Sequence, residues 1–162
     1  MDNRKRPYSR ASIHNWFVGR ALDVLRPGGL VCFITSTYFL DESDAGMRAH
    51  VASEADLVTA FRLPSGTFER IASTSVQADL VVLRKRAPGE AAAPAEWLDL
   101  DYVPKPMLRE GCHEQYLRIN RWFVRHPQHV LGRVDRVSNG FQAVPTAMLD
   151  GDLESALLSA QA

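Results

Sequence analysis

A chain of 162 residues, 46% hydrophobic and 23% charged, suits one compact domain or part of one. Nineteen Lys and Arg balance nineteen Asp and Glu, so the formal net charge is zero, which argues against a free-standing module that coats DNA by bulk electrostatics. No run approaches the roughly 18 apolar residues that span a bilayer, no apolar segment follows the charged N-terminus as a secretory signal requires, and two cysteines, Cys32 and Cys112, make no disulfide framework; a cytoplasmic protein with no membrane partner is expected.

In chain order, residues 1–11 are polar and basic, with a strip at Arg4, Lys5, Arg6 and Arg10. Ser12 is placed to cap a helix running from Ile13 to Leu25, with Ile13, Trp16, Phe17, Ala21 and Val24 at helical spacing as its apolar face. Arg26-Pro27-Gly28-Gly29 ends it, because proline cannot continue a helix and glycine permits the reversal. Leu30-Val31-Cys32-Phe33-Ile34 is apolar without alternation and predicts a strand buried on both faces, Cys32 acting as a small core residue. Thr35-Ser36-Thr37 closes it with small polar groups, the kind of strand end that borders a ligand crevice in open α/β sheets.

A second helix is expected from Asp44 to Ala55, then strands at Leu57–Leu63 and Val76–Leu83, the latter ending in the basic run Arg84-Lys85-Arg86. Helices alternating with buried strands predict a parallel-type sheet. The loop of about ten residues before the last strand is too short for most crossovers, so that strand is expected to be antiparallel. A Pro/Ala/Gly-rich stretch at residues 87–96 reads as a linker. Residues 97–162 form an extension, with a short strand at Trp97–Leu100, a helix at Tyr116–Arg125 and a helix after Gly151. Three strands and two helices leave large apolar faces in need of neighbours, so upstream sequence or a partner is expected.

Four blocks, SIHNWFVGRALDVLRPGGLVCFITSTYFLD (residues 12–41), ADLVTAFRLPSGTFE (55–69), TSVQADLVVLRKR (74–86) and INRWFVRHPQHVLG (119–132), resemble in this order the N6-adenine DNA methylase family, in particular the methylase portion of large plasmid and phage helicase–methylase proteins. The resemblance implies an α/β fold, a partial Rossmann-like methyltransferase sheet made of the later strands and helices (residues 1–86) with a small C-terminal extension. It implies S-adenosylmethionine as the cofactor of the full-length family, DNA as a partner through a parent protein in a restriction–modification setting, and an upstream methylase half or partner subunit. The family's glycine-rich turn and Asn-Pro-Pro-aromatic loop are absent. The nearest string, Asn3-Arg4-Lys5-Arg6-Pro7-Tyr8, carries an inserted basic stretch. The chain is therefore expected to be a methyltransferase fragment inactive alone, with no catalytic, cofactor-binding or metal residue and no cofactor bound by itself. A degenerate, non-catalytic DNA- or partner-binding remnant is the alternative.

Substrate-proximal positions implied by the resemblance are Thr35, Ser36 and Tyr38 at the strand end, His14 and Asn15 in the first helical turn, and Arg62, Phe68 and Thr74 around the loop before the last strand. Each also has an ordinary structural reading as a strand end, a helix start or a sheet-edge connection. His126 and His129 are separated by Pro127 and lack a carboxylate pattern that would complete a metal shell. Cys112 beside His113 has nothing to orient it as a nucleophile. Asp99 and Asp101 share one face of the expected strand, and Trp122-Phe123 reads as core packing.

Overall fold

The computed structural model describes residues 8, 11–73, 76–112, 116–138, 143–149 and 151–160. The basic strip Arg4, Lys5, Arg6 and Arg10, as well as Thr74 and His113, lies outside the described residues.

The order of elements is α1 (Ile13–Val24), β1 (Leu30–Ser36), α2 (Tyr38–Asp41), α3 (Gly46–Glu54), β2 (Ala55–Arg62), α4 (Glu69–Ala72), β3 (Ala78–Lys85), β4 (Leu100–Tyr102), β5 (Arg118–Asn120), α5 (Arg121–Arg125), β6 (Arg133–Ser138), β7 (Ala143–Met148) and α6 (Leu153–Ser159). Single 3-10 turns occupy Glu96–Leu98, Lys105–Met107 and Pro127–His129. The main sheet has the order β1-β3-β2, and the central β3 runs antiparallel to both neighbours, so no Rossmann-like parallel sheet is present among the described residues. Residues 63–77, which include α4, return the chain beside β2 in the opposite direction, and β3 inserts between β2 and β1. Two antiparallel pairs, β4 with β5 and β6 with β7, complete a mixed α/β architecture.

Local sequence explains most boundaries. The turn at Arg26–Gly29 is tied to the end of β3, Gly28 N donating to Lys85 O and Lys85 N to Gly29 O. Gly28 has φ +75°, which favours glycine. Asn120 ends β5 and starts α5 at once. Its Oδ1 accepts from Trp122 N at 3.0 Å, while Nδ2 donates to Leu40 O and Trp97 O. This buried amide holds α2, the 96–98 turn and α5 together, and it is why Tyr116–Arg125 is not one helix. Trp97–Leu98 likewise turns in a 3-10 conformation before β4 rather than starting a strand.

One apolar cluster draws on both halves of the chain: Val18, Leu22, Phe39, Leu40, Val51 and Val81 from the first, Trp97, Ile119, Phe123 and Val134 from the second. A smaller cluster sets Leu63 and Leu131 against Phe61, Phe68, Leu153 and Leu157, which docks α6. Two expectations about the core are corrected. The buried face of α1 is Asn15, Val18, Gly19 and Leu22, whereas Ile13, Phe17 and Val24 point outward. In β1, Val31 and Phe33 pack inward while Leu30, Cys32 and Ile34 are exposed, so the strand is covered on one face and Cys32 is not a core residue.

Candidate functional site

At the carboxyl end of β1 lies a cleft of about 820 Å³. Ser36, Tyr38, Asp41 and Glu42 line it, together with Tyr116 just before β5, Arg118 at the start of β5, and Arg136, Pro145 and Thr146 of the β6–β7 hairpin. Ser65 and Gln77, flanking the β2–β3 connection, close the remaining side. The cleft thus forms where the end of the main sheet meets the extension. Tyr38, Tyr116 and Arg118 are exposed at it.

Beneath this cleft sits an internal ion-pair network. Arg62 is fully buried and donates from Nε and Nη2 to the two carboxylate oxygens of Asp79 at 2.8 and 2.9 Å, and from Nη1 to Asp41 at 2.7 Å. Its guanidinium lies 4.6 Å from the centroid of the Phe123 ring. The second oxygen of Asp41 accepts from Asn120 N at 2.9 Å. Burial acts to lower the Arg62 pKa, but Asp41 and Asp79 outweigh it and raise the group above the ordinary arginine value. Burial pushes the Asp79 carboxyl up against the pull of Arg62. All three guanidinium nitrogens are engaged, so Arg62 does not reach an external ligand. It fixes Asp41, which is itself a cleft residue, to the sheet.

The other sequence-derived positions divide. Ser36 and Tyr38 line the cleft, and Tyr38 N donates to Ser36 Oγ at 3.3 Å. Thr35, one residue earlier, turns inward; it is buried and its Oγ1 finds no hydrogen-bond partner among the described residues. Asn15 is buried, donates at 3.5 Å to Glu42, and its Oδ1 has no hydrogen-bond partner among the described residues. His14 pairs with Ser12 Oγ at 3.0 Å, and burial lowers its pKa against the opposing charge of Glu42. Among the described residues, Glu42 is what links His14 and Asn15 to the cleft. Phe68 packs against the Leu63 and Leu131 cluster instead of the cleft.

The contribution of Tyr116, Arg118, Arg136 and Thr146 was not read from the sequence: the segment holding Tyr116 and Arg118 reads as a helix by periodicity, and the β6–β7 hairpin was missed. The dipeptide Asn139-Gly140, between the runs that became β6 and β7, is the signal that was available. His126 and His129 come together despite Pro127, which opens the 3-10 turn that stacks their rings 5.3 Å apart. His126 stacks on Trp122 at 3.9 Å and His129 on Phe61 at 4.4 Å, and Ala60 O accepts from both Trp122 Nε1 and His129 Nδ1. No cluster of three metal-ligating side chains occurs among the described residues. Asp99 and Asp101 both face Arg121, at 2.9 and 3.7 Å, as a solvated ion-pair group.

No helix among the described residues is long and apolar enough to cross a membrane. Over 98% of its length the chain is 26% identical to a protein named "Defense against restriction protein B" from Escherichia phage P1, and it spans 7% of that protein's length. No family model matches the chain, and no solved structure matches it. These findings overturn the expected membership in the N6-adenine methylase family and, with it, the reading as a methyltransferase fragment. A helix, a Pro-Gly-Gly turn and an apolar strand are shared by many α/β proteins, and the sheet built here is antiparallel around β3. What the chain is similar to is a restriction-related protein.

Proposed function

We propose that the chain is a binding module of a system that counters restriction, and that it holds DNA in the cleft at the carboxyl end of β1. The cleft's lining carries the reading: two exposed tyrosines, Tyr38 and Tyr116, beside two arginines, Arg118 and Arg136. Aromatic faces stack on bases and guanidinium groups pair with phosphates. The name of the phage relative, which speaks of defence against restriction, supports the setting. Net charge supplies no general attraction to a duplex. The groups available are local, and they suit a short strand segment whose bases are free to stack.

Fluorescence anisotropy with labelled single-stranded and duplex oligonucleotides tests this. Micromolar binding of the single strand and weaker binding of the duplex are expected. Arg118→Ala and Tyr116→Ala should each weaken binding about tenfold, and Arg118→Ala should also flatten the salt dependence. No binding of either oligonucleotide at about 100 µM protein in low salt rejects the proposal.

A further inference from the structure

The histidine pair after α5 lies outside the cleft. His126 follows α5 directly, and His129 ends the 3-10 turn that Pro127 opens. Each ring is anchored by one nitrogen. His126 Nδ1 donates to Trp122 O at 3.0 Å, and His129 Nδ1 donates to Ala60 O at 3.1 Å, with Thr59 Oγ1 at 3.5 Å. A carbonyl only accepts, so in the neutral ring Nδ1 carries the proton and Nε2 keeps its lone pair. Neither Nε2 has a hydrogen-bond partner among the described residues, and both side chains keep part of their surface exposed. An Nδ1–H held by a backbone carbonyl is the outer-shell arrangement of metal-ligating histidines: it fixes the tautomer, orients the ring and makes Nε2 a better donor to a cation.

The spacing of the two rings suits a shared ion. Trp122 and His126 stack closely, with centroids 3.9 Å apart, whereas His126 and His129 stand 5.3 Å apart with 25° between their planes. Two imidazoles on one tetrahedral ion, each with Nε2 about 2.0–2.1 Å from it, hold their centroids roughly 5 Å apart. Burial, then the neighbouring His126, lowers the His129 pKa, so that ring is neutral at pH 7, as ligation requires. Arg125, the adjacent cation, is turned to Glu96 at 3.6 Å.

We propose that His126 and His129 together take a divalent transition-metal ion of the imidazole-binding class (zinc, nickel or copper) through their two Nε2 atoms, with water in the remaining positions. Two protein ligands make an exchangeable site of moderate affinity. Magnesium and calcium, which require oxygen ligands, do not fit it. Spacing in the sequence argued against such a pair because Pro127 separates the two histidines; the 3-10 turn that Pro127 starts is what brings their rings together.

Calorimetric titration of the full chain with zinc chloride at pH 7.5 tests the proposal. One ion per chain is expected, with a dissociation constant of about 10 to 100 µM. His126→Gln and His129→Gln should each weaken binding at least about tenfold. Cys32→Ser, which alters the exposed thiol, should leave it unchanged, and magnesium chloride should give no binding. Nickel chloride gives a second readout in the unsubstituted chain, because an ion at His126 lies beside Trp122 and should quench its fluorescence over the same concentration range, with recovery on addition of a chelator. No zinc binding up to about 1 mM overturns the proposal. Binding that survives both histidine substitutions, or is lost with Cys32→Ser, places the ion elsewhere and overturns it as well, as does saturation with nickel without quenching.

Discussion

Arg62 and His129 show how single side chains set the energetics of this fold. Arg62 is buried among Asp79, Asp41 and Phe123, so removing it strands a buried carboxylate. Breaking a buried pair from one side is costly even where the intact pair adds little. Arg62→Met is expected to lower stability by about 3–5 kcal/mol, measured by urea denaturation. In Arg62→Met/Asp79→Leu, which removes both partners, most of that loss should return. His129 has a pKa below the ordinary histidine value because burial, then the neighbouring His126, penalise its charged form against the hydrogen bond to Ala60 O. The unfolded chain therefore takes up a proton first as pH falls. His129's contribution is complete above about pH 6.5 and is lost as pH drops through its folded value. His14 acts in the same direction. Urea melts between about pH 7.5 and pH 5 should show falling stability, and His129→Gln should make that dependence shallower without abolishing it.

At the scale of elements, the β6–β7 hairpin is the part that completes the cleft, and its entry depends on Gly132. That residue has φ +127°, and a Cβ there would meet Met148 O at 2.2 Å, just where Arg133 pairs with Met148 to open the ladder. Neither the backbone angle nor the carbonyl can yield cheaply. Gly132→Ala is expected to cost about 3 kcal/mol in urea denaturation. Gly19 is a second close approach: Tyr8 lies flat against α1 there, and its hydroxyl donates to Asp23. The long helices and strands of the first half were legible because their apolar spacing and breakers are local. The face each turned to the core was not. Ile13, Phe17 and Val24 share helical spacing and yet point outward, since the opposite side of α1, with Val18 and Leu22, meets the sheet and α3. Short elements such as β5 and α5 were misread because Asn120, through its buried side-chain hydrogen bonds, breaks what periodicity alone joins.

For the whole molecule, the governing fact is that one core spans residues on both sides of the linker. Trp97, Ile119 and Phe123 cover Phe39, Leu40 and Val51, and Asn120 N completes the shell of Asp41. A chain ending at residue 95 would expose these surfaces and leave the Arg62 network without Phe123. It is expected to show no cooperative urea transition by circular dichroism and tryptophan fluorescence, whereas the full chain is expected to unfold in one step. A cooperative transition in the shortened chain would mean that the first half carries a sufficient core of its own.

The sequence by itself determined the α/β character, the positions of α1, β1, α3, β2 and β3, and the antiparallel return of β3, because apolar period, Pro-Gly breakers and loop length act within a few residues of one another. The polar end of β1 was a local feature, and of the three positions expected there Ser36 and Tyr38 line the cleft while Thr35 turns inward. Only the tertiary structure decided that Arg62 is internal, that Leu30 and Ile34 are exposed, and that Tyr116, Arg118 and Arg136 join Tyr38 at one cleft. Those outcomes depend on which distant segments pack together, and a strand of five consecutive apolar residues reads the same whether it is covered on one face or two.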